Sequence, residues 1–109
     1  MPNSVVIENL LKQVEIPTDG TLSRTIHRDD HVKIVLFGFS GGQELSQHTA
    51  AVPAIIEILQ GEARVTLDNV AKELSAGAFV FMDAQLPHAI YAKTPLVMLL
   101  TMLTGAGQK

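Results

Sequence analysis

The chain has 109 residues, which is room for one hydrophobic core and no second. Its formal charge of −3 leaves eight scattered Lys and Arg and no basic stripe for a phosphate backbone, which excludes nucleic acid; the absence of cysteine excludes a disulfide framework and thiol chemistry. Hydrophobic residues make up 47% and charged residues 17%, an apolar balance for so small a globule, and the surplus predicts a subunit interface, most simply that of a homodimer.

The opening Met1 to Ser4 carries no basic region, and Glu8 interrupts the only early apolar run, so no signal peptide is expected. Val5 to Val14 places apolar residues at 6, 7, 10, 11 and 14, the spacing of one short amphipathic helix capped by Asn3 or Ser4 and closed before Pro17. Thr18 to Gly20 is a turn. From there the pattern is strand and turn: a strand over Leu22 to His27, a turn over Arg28 to His31 and a β-branched, aromatic strand over Val32 to Phe39. His27 and His31 bracket Arg-Asp-Asp and read as solvated turn residues, since four-residue spacing aligns ligands only on a helix.

Ser40-Gly41-Gly42 breaks the chain, and Gln43 to Ala51 is a polar approach to Pro53. Strands follow over Ala54 to Gln60 and Glu62 to Leu67, with Asp68-Asn69 as a two-residue turn, because Asn tolerates positive φ. Further strands run over Val70 to Leu74, Phe79 to Met82, His88 to Ala92 and Leu96 to Thr104, and the last five residues read as a frayed end. The longest apolar stretch, Leu96 to Leu100, is far shorter than a membrane span. Short strands with turns every eight to twelve residues predict a single antiparallel barrel, and the expected setting is cytoplasmic, without a membrane partner.

Two stretches narrow this reading. Gly42, five residues, His48, and then Glu-Ile-Leu-Gln-Gly-Glu at 57 to 62 resemble the first motif of the cupins, and Gly77 to His88 has the spacing of the second. Ser23 to Thr25, Gln43 to Thr49 and Met98 to Met102 also resemble small bacterial single-domain cupins of the RmlC-like superfamily. The resemblance implies an all-β fold, a double-stranded β-helix or jelly-roll barrel, here with one short N-terminal helix. It implies one cupin domain over 1–109, with the helix and lead-in strands in 1–40 and the cupin core in 41–104.

In such proteins two His and a Glu of the first motif and a His of the second hold a divalent metal. Carried over residue by residue, the chain keeps His48 and His88 but has Ala50 at the second His and Ala54 at the Glu. Ala92 stands at the Asn of the second motif, while Asp83 and Gln85 stand at its Pro and Gly. The implied cofactor is therefore a divalent Zn, Fe, Mn or Ni on His48 and His88 alone, short of the three protein ligands usual in a catalytic site. Gln43, Glu44 and Gln60 are further donor types near the motif, and Glu57 alternates away from Ala54 on its strand.

Loss of the polar groups at 50, 54 and 92 predicts a largely apolar pocket lined by His48, His88, Ala50, Ala54, Ile56, Met82 and Ile90. Equally open at this stage, Ile56, Ile58, Ile90 and Met82 fill that space as ordinary core. Ser46, two residues before His48, lacks an orienting acid and an oxyanion hole, so hydrolysis is not expected. The functional expectation is a small-molecule-binding cupin, with a metal-dependent oxygenase, isomerase or decarboxylase as the alternative.

Overall fold

A computed structural model describes residues 2–106, and its regular structure is nearly all strand. The nine strands are β1 (Thr21–Arg28), β2 (Lys33–Phe39), β3 (Glu44–His48), β4 (Ala54–Gln60), β5 (Glu62–Leu67), β6 (Val70–Ser75), β7 (Phe79–Met82), β8 (His88–Ala92) and β9 (Leu96–Met102). They form a five-stranded sheet in the order β1-β2-β9-β4-β7 and a four-stranded sheet in the order β3-β8-β5-β6. All pairings are antiparallel.

The period-two alternation of β4 shows how the sheets close on each other. Ala54, Ile56 and Ile58 are buried, while Ile55, Glu57 and Leu59 between them are only half-buried. The buried set packs with Ala63, Val65, Ile90 and Ala92 of the four-stranded sheet and with Phe39, Leu96 and Met98 of the five-stranded one. One apolar layer therefore holds the two sheets together.

β2 and β9 read as continuous apolar runs because both of their faces are covered. Leu36 is fully buried although Phe37 and Phe39, on the opposite face of the strand, serve the inner layer. The chain preceding β1 crosses the outer face here. A Cβ on Gly38 would lie 2.9 Å from the Glu15 carbonyl oxygen, so only glycine permits this approach.

That leading segment differs from the helix expected over Val5 to Val14. It contains one 3-10 turn, Leu10–Gln13, capped by Asn9, whose Oδ1 accepts a hydrogen bond from the Leu11 N–H at 3.2 Å. Val5, Val6 and Ile7 are β-branched, and an isolated segment of ten residues gains little from helix formation. Of its apolar residues, Val5, Val6 and Leu11 stay exposed, and Ile7, Leu10 and Val14 are half-buried.

Two other expectations are corrected. The polar stretch after Gly42 holds a true strand, β3, which escaped notice because it is an edge strand with only Leu45 turned partly inward. Gly105 and Ala106 are docked, not frayed: the Gly105 N–H donates to the His31 carbonyl at 2.9 Å and the Ala106 N–H to that of Leu103 at 3.0 Å. Residues 107–109 of the expected frayed end lie outside the described residues. The Asp68-Asn69 turn is as expected, with φ of 48° and 71° at its two central residues.

Candidate functional site

Forty residues separate His48 and His88 in sequence, and sheet pairing makes them direct neighbours. His48 ends β3, His88 begins β8, and their Cα atoms are cross-strand partners. The register of the pair slips between Leu45 and His48, an irregularity that resets which way the end of β3 faces. The two ring centroids lie 4.2 Å apart, edge to face at 60°. His88 is buried at 7% exposure, whereas His48 is open to solvent.

Each ring is fixed in the same way. His48 Nδ1 lies 2.9 Å from the Ser46 carbonyl oxygen, and His88 Nδ1 lies 2.9 Å from that of Leu86. A carbonyl only accepts, so Nδ1 carries the proton in both rings. In the neutral imidazole that leaves Nε2 with its lone pair, available to accept a hydrogen bond or to bind a cation. The same two-residue backward reach at both positions yields two oriented acceptors side by side.

The loop before β8 is held to the strand system on both sides. The Gln85 N–H donates to the Ala50 carbonyl at 2.8 Å, and the Asp68 N–H donates to that of Pro87 at 2.9 Å. Gln85 adopts φ of 69°. The loop thus keeps the backbone that a glycine would adopt freely, without the glycine, and stores some local strain beside the His pair.

Of the other residues expected at a pocket, Ala50 is partly exposed beside this loop. Ala54, Ile56, Met82 and Ile90 are interior, at 3%, 1%, 2% and 2% exposure. Their side chains belong to the inner apolar layer and are packed as core. What opens to solvent is His48, with Ala50 and the Asp83 to Pro87 loop around it.

A divalent metal is the group the fold family implies, and the donor set does not fit it. Two imidazole nitrogens stand together, but among the described residues no group of three or more His, Cys, Asp or Glu side chains could hold a metal ion. Glu44 is four residues up β3 from His48, about 13 Å along a strand, and its Cα partner is Tyr91 at the far end of β8. Gln60 is at the opposite end of β4 from Ala54, and Gln43 reaches Asp19 at 3.5 Å. Glu57 faces away from the inner layer. Two ligands fall short of the three a catalytic site normally has.

The motif spacing located His48 and His88, but the carbonyls of Ser46 and Leu86 had no signal to find, because a backbone acceptor is the same at every position. A family model described as a cupin domain matches residues 35–102, well over half of the chain. The chain belongs to the cupin family. This cupin superposes on a conserved protein of unknown function from Streptococcus pyogenes with a TM-score of 0.83 and 32% identity, covering 94% of this chain and 90% of the other. It is similar to a cupin superfamily protein from Desulfitobacterium hafniense at 29% identity and a TM-score of 0.83, over 94% of both chains. An RmlC-like cupin from Desulfovibrio desulfuricans matches at 27% identity and a TM-score of 0.82, over 93% and 98%. No curated protein matches the sequence. The two facing sheets are thus the cupin jelly roll.

Proposed function

We propose that this cupin binds a small molecule at the mouth of its barrel through His48 and His88. The observation that carries the reading is the pairing of two rings 4.2 Å apart, both held through Nδ1 with Nε2 free. Such a pair accepts two hydrogen bonds from one ligand, or holds an acidic group when protonated. Ala54, Met82 and Ile90 are packed into the apolar core and offer no second polar anchor, so orientation of the ligand rests on the imidazoles.

The metal-dependent alternative has less support, because the positions that would complete the ligand set are Ala50 and Ala54. We also propose that the protein is a homodimer. Phe79 and Phe81 stand 62% and 52% exposed on the edge strand β7, and a second copy covering them would account for the apolar composition.

A thermal-shift panel of small carboxylates, sugars and aromatics tests the binding reading, since a ligand that binds only the folded state raises the melting temperature. A hit whose shift disappears in both His48→Ala and His88→Ala is expected. A hit indifferent to both substitutions, or stoichiometric metal in untagged protein that is lost in the double variant, would overturn it.

A further inference from the structure

A second concave site lies on the opposite side of the five-stranded sheet from the barrel interior. The segment before β1 does not lie flush on the sheet but leaves a groove of about 780 Å³ between itself and β1, β2 and β9. That is within the size range of small-molecule sites. Its apolar lining comes from Val5, Ile7 and Leu10 of the segment and from Ile26, Ile34 and Leu99 of the sheet.

One end of the groove is polar, for a local reason. The register of β1 slips between Thr25 and His27, so Ile26 has no cross-strand Cα partner on β2. Strict alternation would send successive side chains to opposite faces; at this bulge Ile26, His27 and Arg28 all line the groove. The same residue that seats the apolar floor therefore sits two positions from a guanidinium.

The two charged residues at that end differ in how far their polar atoms are engaged. Among the described residues Asp29 is the only carboxylate lining the groove, and both of its oxygens are engaged. Oδ1 accepts the His31 and Val32 N–H groups at 2.8 and 3.0 Å, and Oδ2 meets His27 Nε2 at 2.8 Å. Hydrogen bonding to His27 first, and then to these two N–H groups, lowers its pKa to about 2. Arg28 has no hydrogen-bond or ion-pair partner among the described residues. A cationic fork with five donors is thus left at the end of an apolar trough.

We propose that this groove is a binding site for a medium-chain amphipathic carboxylate, its acyl chain against Ile7, Leu10, Ile34 and Leu99 and its carboxylate on Arg28. The free donors select the class: an uncharged chain leaves Arg28 unpaired, and a cation finds both Asp29 oxygens already engaged. The site does not involve His48 or His88 and stands whether or not the barrel mouth binds anything.

The test uses the full chain labelled with 15N, titrated with octanoate and separately with octan-1-ol, which has the same chain without the charge. Octanoate is expected to give saturable amide shifts clustered on Ile26 to Asp29, Ile34 and Leu99. Arg28→Met, which keeps most of the apolar stem, is expected to raise the octanoate Kd about tenfold and to leave the weaker octan-1-ol binding unchanged. Val5→Asp, at a position already exposed, weakens both and checks the apolar wall. The proposal is overturned if no saturable shift appears at millimolar octanoate, if Arg28→Met binds it equally well, or if the shifts centre on His48 and His88. It is overturned equally if the groove amides move on dilution without ligand, because a second copy would then fill the groove.

Discussion

Truncating the two mouth histidines separates binding from stability, because the rings share a site but not an environment. His88 is 7% exposed and donates from Nδ1 to the Leu86 carbonyl, while His48 makes the equivalent bond to Ser46 in the open. His88→Ala loses a buried hydrogen bond, about 1 kcal/mol, and leaves a partly collapsed gap against Leu67, its cross-strand partner on β5, for about 1 kcal/mol more. At roughly 4–8 °C per kcal/mol for a domain near this size, the melting temperature falls by about 10 °C. His48→Ala removes an exposed bond and stays within about 0.5 kcal/mol, roughly 2–4 °C. Differential scanning calorimetry of both variants gives the stabilities, and titration with any hit from the ligand panel gives the affinities. The expectation is equal loss of binding with unequal loss of stability. Equal destabilisation by the two substitutions would refute the assigned burial, and retained binding in either would refute the shared site.

Gly61 joins β4 to β5, where the chain passes from one sheet to the other, at φ of 90° and with the Pro95 carbonyl oxygen where a Cβ would stand. Gly61→Ala meets both a disfavoured backbone conformation and a clash with immobile backbone, so it is expected to cost about 3 kcal/mol and to lower the calorimetric melting temperature by more than 10 °C. Asp29 has its folded pKa lowered from 3.8 to about 2, so the stability it lends is complete above pH 3.8 and lost as the pH falls toward 2. Urea unfolding between pH 5 and 2 is expected to show this loss in the wild type and a shallower one in Asp29→Asn; parallel curves would contradict the assignment. If Phe79 and Phe81 form a dimer contact, sedimentation velocity gives a dimer for the wild type and a monomer for Phe81→Glu, and an unchanged species rules that face out.

Much of the fold was legible because it depends on side-chain pattern. The bounds of β4, β5, β7 and β8 follow from alternation and turn residues, and the Asp68-Asn69 turn from the φ tolerance of Asn. What escaped the sequence was decided by tertiary context. Of the apolar residues spaced helically over Val5 to Val14, only Ile7, Leu10 and Val14 are even half-buried, in a strip with a single 3-10 turn, so no buried helix face forms. β3 was hidden because an edge strand facing solvent has no apolar period to display.

The site divides along the same line. Motif spacing led to His48 and His88, and the alanines at 50 and 54 are where the sequence departs from the motif's donor set. The outer groove had no sequence signal at all. Its polar end depends on a one-residue slip in β1, which moves Arg28 from a solvated turn to the end of an apolar trough.

Side-chain 15N NMR of the histidines bears most directly on the account, because every functional statement about the mouth assumes where two protons sit. Above the titration range, long-range proton–nitrogen spectra should show His48 and His88 both in the Nδ1–H form, with both Nε2 resonances moving when a ligand from the panel binds. An Nε2–H form at either residue would remove one of the two acceptors and with it the basis for ligand recognition at the barrel mouth.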